Sequence, residues 1–231
     1  MLMNVRNLVI AACGTSLFAG QYGAALMRYV NGFDTVQTID AAEIVGHFLP
    51  HPHSEAGLLV ISQSGETKDV HRAVQLAEDY DIPRFSVINA VGSLIARSTR
   101  CGVYVNAGRE HAVASTKAFV TQVTVLALIA GWFSQYRAEE MKRPNADQRR
   151  LELASALHKL PTYIGMTLQG KDKIGAIAEK IKSREVGDLE TLPTLRLAYM
   201  LISVSFFFCF VCSTCLCWAV ALQNRLLKRQ H

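Results

Sequence analysis

This chain has little of what marks a secreted, metal-bound or nucleic-acid-binding protein. Its first residues, Met-Leu-Met-Asn-Val-Arg-Asn, lack the basic segment, long apolar core and small-residue cleavage site of a signal peptide. The six cysteines are unevenly placed: Cys13 and Cys101 stand alone in the body, while Cys209, Cys212, Cys215 and Cys217 crowd together. That is not the spacing of a disulfide framework, so the body is expected to be reduced and cytoplasmic. The net charge of +5 is spread along the chain, with Arg149-Arg150 and Arg225 to Arg229 the nearest approach to basic clusters. No basic stretch is interleaved with aromatics, so nucleic acid is not expected as a partner. Neither the full P-loop pattern Gly-x-x-x-x-Gly-Lys-Ser/Thr nor Gly-x-Gly-x-x-Gly occurs, which argues against a nucleotide P-loop and a dinucleotide fold. No cofactor is expected.

What is present is apolar: half of the 231 residues are hydrophobic, enough for one ample α/β domain, with or without an appendage. The first 110 residues alternate strand-like and helix-like pieces, the pattern of a doubly wound sheet. Strands are predicted at Leu8–Cys13, Thr35–Ile39, Leu58–Ile61, Arg84–Asn89 and Gly102–Asn106. Helices are predicted from Ser16 to about Val30, at Ala41–Phe48, behind Lys68 and at Ser93–Ser98. The strands are short aliphatic runs without clean alternation, as expected when helices cover both faces of a sheet. A long helix should follow Ser115-Thr116 to about Tyr136; its apolar core, Val123–Phe133, is too short to span a bilayer. Arg137–Arg150 reads as a charged connector. Leu151–Leu160 and Ile174–Ile181 read as two more amphipathic helices, separated by Pro161 and Gly170. Three segments result: a domain over 1–150, a helical connector over 151–185 and a divergent tail over 186–231.

The tail is uncharged from Leu197 to Asn224, long enough for a transmembrane helix, and is followed by Arg225, Lys228 and Arg229. It reads either as a membrane anchor with a cytoplasmic C-terminus or as a stretch not selected for any structure. A membrane partner enters only through 197–224.

The loop Ser62-Gln-Ser-Gly-Glu-Thr67 lies between an aliphatic strand and a helix whose apolar face is Val70, Ala73, Val74 and Ala77. A small-residue loop at a helix N-terminus gathers free N–H groups, hydroxyl donors and the positive end of a helix dipole, which together suit a phosphate. An ordinary βα turn with an N-cap has the same composition. A second loop of this kind, Ala12-Cys-Gly-Thr-Ser16, follows the first strand, and a third, Val113-Ala-Ser-Thr-Lys117, opens the long helix. In a doubly wound sheet the first two lie at one edge. Three such openings point to a small phosphorylated metabolite held by neutral donors.

The segments Ala-Cys-Gly-Thr-Ser, Ile-Ser-Gln-Ser-Gly-Glu-Thr, Val-Gly-Ser-Leu-Ile-Ala-Arg and Ala-Gly-Arg-Glu…Val-Ala-Ser-Thr-Lys-Ala-Phe-Val-Thr-Gln occur in this order. Together, over roughly Val5 to Arg184, they resemble the first sugar-isomerase (SIS) lobe of the glutamine–fructose-6-phosphate transaminase (isomerizing) family, the glucosamine-6-phosphate synthases of amino-sugar biosynthesis. The resemblance implies a flavodoxin-like three-layer αβα sandwich around a five-stranded parallel sheet, with C-terminal helices. It implies a sugar-phosphate ligand, fructose-6-phosphate or glucosamine-6-phosphate, and a homodimer. Carried over by motif, Thr15 and Ser16 touch the phosphate or its neighbouring hydroxyls. Ser62, Gln63, Ser64 and Thr67 form the main cradle, Gly65 lets the backbone approach, and Val113 lies beside the sugar chain. The family's glutaminase domain has an N-terminal cysteine nucleophile, whereas residue 2 here is Leu. The family's proton-moving glutamate, ring-opening histidine and Schiff-base lysine belong to parts beyond the first lobe, and the family-like sequence here stops near Arg184. No catalytic residue is therefore assigned. The expectation is either a partial synthase, inactive alone, or a stand-alone SIS module that senses a phosphosugar.

Other polar residues are read conservatively. Cys13 is expected to be a small residue at a strand end rather than a nucleophile. Glu66 is expected to serve a helix dipole rather than act as a base. His47, His51 and His53 flank Pro50 and Pro52 without nearby Cys or Asp, so no metal is expected there.

Overall fold

The computed structural model describes residues 2–49, 55–110, 115–141, 145–173 and 175–176. Five parallel strands form one sheet: β1 (Asn7–Ala12), β2 (Thr35–Asp40), β3 (Ala56–Ser62), β4 (Arg84–Ile88) and β5 (Gly102–Tyr104), in the spatial order β2-β1-β3-β4-β5. The helices are α1 (Thr15–Tyr29), α2 (Lys68–Asp79), α3 (Leu94–Thr99), α4 (Lys117–Met141) and α5 (Ala146–Leu168). Contacts divide the chain into two units, residues 1–163 and 164–231, and the whole sheet belongs to the first. The described residues of the second are mostly exposed.

Helices α2 and α3 cover one face of the sheet, and α1 and α4 cover the other. The first face is legible in the sequence. Val70, Ala73, Val74 and Ala77 follow a 3.6-residue period, and all four are buried against Val9, Ala11, Leu58 and Val60. The intervening strand residues point the other way, as the two-residue period of a strand requires. There α1 approaches closely because it carries glycines. A Cβ on Gly20 would lie 3.0 Å from Ile10, and one on Gly23 would lie 2.9 Å from Leu126 of α4. Strand β3 is buried at every position, whereas the short edge strand β5 is exposed at all three.

Two predicted elements differ. The helix expected at Ala41–Phe48 is a turn followed by a single 3-10 turn at Gly46–Phe48. The Asp40 carboxylate accepts from Ala42 N–H at 3.0 Å, and the Arg72 guanidinium donates to the carbonyls of Ala42 and Ile44 at 3.1 and 3.0 Å. Those are carbonyls a helix would have used, and the turn they make drops Ala41, Ile44 and Leu49 into the core. The helix expected to stop at Leu160 instead runs through Pro161 to Leu168. Proline removes one N–H from the ladder, and the exposure of this stretch leaves water to satisfy the carbonyl that loses its donor. The helix predicted at Ile174–Ile181 and the tail with its cysteines and its 197–224 segment lie outside the described residues.

Helix α4 is apolar and long enough to cross a membrane by length and composition, over Lys117–Arg137. It acts here as the packing helix the sequence predicts, burying Ala118, Phe119, Leu126, Ala127, Ala130 and Phe133. It also absorbs Arg137, which the sequence assigns to a charged connector. Arg137 is only 2% exposed and donates to the carbonyls of Gly32 and Val5, with its guanidinium 5.2 Å from the Phe33 ring centroid. Helix α5 is tied to α1 by Tyr29, whose hydroxyl donates to Glu152 at 2.6 Å. Burial, with help from that carboxylate, pushes the phenol up to about 12, so it remains a donor at neutral pH.

Candidate functional site

The sheet order reverses at β1: the chain steps outward to β2 and then returns to β3 on the other side. A crevice opens at such a switch point, at the C-terminal ends of the strands. Strands β1 and β3 are hydrogen-bonded neighbours in parallel register, Ala11 opposite Val60, so the loops that follow them leave the same edge side by side. These are Cys13–Ser16 and Ser62–Thr67, two of the three loops singled out above.

The β3–α2 loop is held by its own hydroxyls. Gly65 N–H donates to Ser62 Oγ at 3.0 Å and Glu66 N–H donates to Ser64 Oγ at 3.2 Å, while Ser62 Oγ and Thr67 Oγ1 are 3.3 Å apart. Gly65 takes φ +66°, and its missing Cβ is what admits Ser93, whose Oγ lies 2.0 Å from where that carbon would be. The Gly65 carbonyl then accepts from Ile95 N–H at 3.0 Å. Thr67 is the N-cap of α2 but makes no side-chain cap hydrogen bond. Gly14, the N-cap of α1, has no side chain to offer and adopts φ 57° and ψ −133°, a backbone state that suits glycine. Two helix N-termini thus reach the crevice without side-chain caps, and their first N–H groups are available to a ligand.

The starts of α3 and α4 are already served from within. The Glu110 carboxylate accepts from Thr116 N–H at 3.0 Å and Ala118 N–H at 3.2 Å, capping α4. Glu66 accepts from Leu94 N–H at 2.8 Å, capping α3. Glu66 therefore does serve a helix end, though that of α3 rather than the α2 it precedes. Lys117 turns to the Arg109 carbonyl at 2.7 Å. Of the third loop, Ser115, Thr116 and Lys117 are described, and Val113 lies outside the described residues.

Thr15 and Ser16 occupy the first turn of α1, Thr15 half-buried and Ser16 buried. Ser62 is buried; Gln63, Ser64 and Thr67 are half-buried. Gln63 also borders an open cleft of about 470 Å3, together with Asn89, Asn106, Gly108, Arg109 and Glu110. Asn89 shapes that cleft: its amide donates to the Gly108 carbonyl and accepts from Ala107 N–H, each at 2.8 Å. Burial, and then the nearby Asp40 carboxylate, push the Cys13 thiol up to about 11. It is protonated at neutral pH and is not poised as a nucleophile. His47 lies on the surface against the Phe48 ring; His51 and His53 lie outside the described residues. No cluster of three or more His, Cys, Asp or Glu side chains that could hold a metal occurs among the described residues.

Asn89, Glu110 and Gln122 are polar residues given no role from the sequence, although Glu110 and Gln122 fall within the family-like segments quoted above. Gln122 carried a visible signal: it falls on the face of α4 defined by Ala118, Phe119, Leu126 and Phe133, where a lone amide interrupts an apolar stripe.

The SIS domain family matches residues 1–130. Over 182 residues the chain is 36% identical to the glutamine–fructose-6-phosphate aminotransferase [isomerizing] of Chlorobaculum tepidum, covering 78% of this chain and 28% of that protein. Over 180 residues it is 30% identical to the corresponding enzyme 1 of Rattus norvegicus, covering 78% of this chain and 25% of that one. The chain thus spans about a quarter of the length of these relatives. Among solved structures, the C-terminal domain of glucosamine-fructose-6-phosphate aminotransferase from Francisella tularensis superposes with a TM-score of 0.65 at 24% identity, covering 80% of this chain and 50% of that domain. That likeness extends to the fold: a parallel sheet between two helical layers.

Proposed function

This chain belongs to the SIS domain family, with a lobe of the glutamine–fructose-6-phosphate aminotransferase type, and from that premise we propose that its β1 and β3 loops bind the phosphate of fructose-6-phosphate. One observation carries the reading. The hydroxyls of Ser62 and Ser64 each accept a backbone N–H of their own loop, at 3.0 and 3.2 Å. A hydroxyl has a single proton to give; these lone-pair contacts leave that of Ser64 free to point toward an anion, and that of Ser62 too when Thr67 is the donor in their 3.3 Å pair. Ser62, Gln63, Ser64 and Thr67 form the cradle around the buried turn at Gly65. Thr15 and Ser16 close it from the first loop.

No residue of these loops is assigned to moving a proton between sugar carbons. Glu66 is engaged with α3, and the Cys13 thiol stays protonated. The role of this lobe is to hold the sugar phosphate, fructose-6-phosphate or the product glucosamine-6-phosphate, in amino-sugar biosynthesis in the cytoplasm. A homodimer accords with Leu128, Trp132 and Tyr136, three exposed residues spaced by four along α4.

Isothermal titration tests this reading. Ser64→Ala combined with Thr67→Ala removes two donors while leaving the apolar frame untouched. It should weaken fructose-6-phosphate binding by about a hundredfold or more, since each of the two lost hydrogen bonds to a charged group is worth roughly 1.5–3 kcal/mol. The unliganded melting temperature should change little. Unaltered affinity would mean that the cradle lies elsewhere.

A further inference from the structure

Gln122 sits within α4, and its side chain is fully buried at 0% exposure. Its Nε2 lies 3.1 Å from Ser16 Oγ, and its Oε1 has no hydrogen-bond partner among the described residues. A buried amide oxygen without a partner is destabilising, so stability alone does not explain a glutamine among Phe119, Leu126 and the sheet. Methionine or leucine would fill the space without that penalty.

The geometry points to Gln122 as the positioning residue that aims the Ser16 proton into the phosphate site. Serine in the first turn of a helix has two ways to use its one proton: inward to a protein acceptor, or outward. By donating Nε2–H to Ser16 Oγ, Gln122 occupies a lone pair of the hydroxyl and leaves its proton directed outward. The backbone N–H groups of Gly65 and Glu66 do the same for Ser62 and Ser64. Ser16 follows Gly14 and Thr15 at a helix start with no loop N–H donor to it among the described residues, and the amide from α4 supplies the equivalent donor. Every hydroxyl so held accepts from the protein and donates to the ligand. The inference rests on the phosphosugar reading above.

A double-mutant cycle on the 231-residue chain separates this role from packing, with fructose-6-phosphate as the probe and affinity and unliganded melting temperature as readouts. Gln122→Met keeps the volume and removes the amide. It should weaken binding by about tenfold, with a melting temperature equal to or above that of the parent. Ser16→Ala should weaken binding by a similar factor, and adding Gln122→Met to it should produce no further loss. Losses that multiply to about a hundredfold, or a melting temperature that falls while affinity is unchanged, would overturn the positioning role and leave the phosphosugar reading standing. A parent chain that does not bind fructose-6-phosphate would overturn both. If the methionine variant does not fold, Gln122→Asn, one methylene short of Ser16, enters the same cycle with the same two outcomes.

Discussion

Replacing Gly65 with alanine is expected to cost about 2–5 kcal/mol of stability and to abolish fructose-6-phosphate binding. Two effects add. The left-handed backbone at φ +66° penalises a Cβ by roughly 1–2 kcal/mol. The new carbon would also lie 2.0 Å from Ser93 Oγ and 2.5 Å from Ser93 Cβ, contacts that real structures do not tolerate, and forced overpacking costs typically about 1–3 kcal/mol. The loop has little freedom to give way. Gly65 is anchored on both sides, its N–H to Ser62 and its carbonyl to Ile95. Relief by movement would break the hydroxyl frame on which ligand binding depends. Gly92 supplies the control. It has φ +70°, and nothing lies within 4 Å of its missing Cβ, so Gly92→Ala should show the backbone penalty alone. Adding Ser93→Gly to Gly65→Ala should recover the packing share and leave the strain. Equilibrium denaturation of the four proteins checks the partition. Equal losses at Gly65 and Gly92 would refute the close approach.

Arg137→Met should destabilise the chain by about 2–4 kcal/mol. The guanidinium is buried and donates to the carbonyls of Gly32 and Val5, groups far apart in sequence. Removing the donor leaves both carbonyls buried without it, at roughly 1–3 kcal/mol each, and forfeits the stacking on Phe33 and Phe133. Against this stands the desolvation of a buried cation, which methionine avoids, and which keeps the net below the sum. Arg137→Lys should not restore the loss, because an ammonium lacks the planar fork that reaches two carbonyls and stacks on a ring. Urea denaturation monitored by tryptophan fluorescence reads the change directly, since Trp132 packs edge-on against Phe133 at 4.8 Å.

These two residues show what was readable in the sequence. The strands, α2 and the β3 loop were legible because their signals are local: aliphatic runs, a 3.6-residue period, and small residues at a helix start. That the loops after the first and third strands share one edge followed from the connection rules for parallel sheets. What escaped was set by partners distant in the chain. Nothing near Arg137 announces that its acceptors lie at Val5 and Gly32. Nothing between Ala41 and Phe48 announces that Arg72 takes the carbonyls a helix would need. Likewise Glu66 was legible as a carboxylate at a helix end, but the helix it caps is α3, fixed by the close packing that Gly65 permits. The site was therefore readable as a set of loops and illegible as a set of supports.

The central claim is that the paired loops hold a sugar phosphate, and the melting temperature of the 231-residue chain with fructose-6-phosphate tests it most directly. A ligand that binds only the folded state adds about 2.7 kcal/mol at a hundredfold excess over its Kd, a rise of roughly 5–10 °C for a domain of this size. Fructose without its phosphate should produce no comparable shift, because the donors converge on the phosphate. A melting temperature unmoved by fructose-6-phosphate, or raised equally by fructose, would contradict the account.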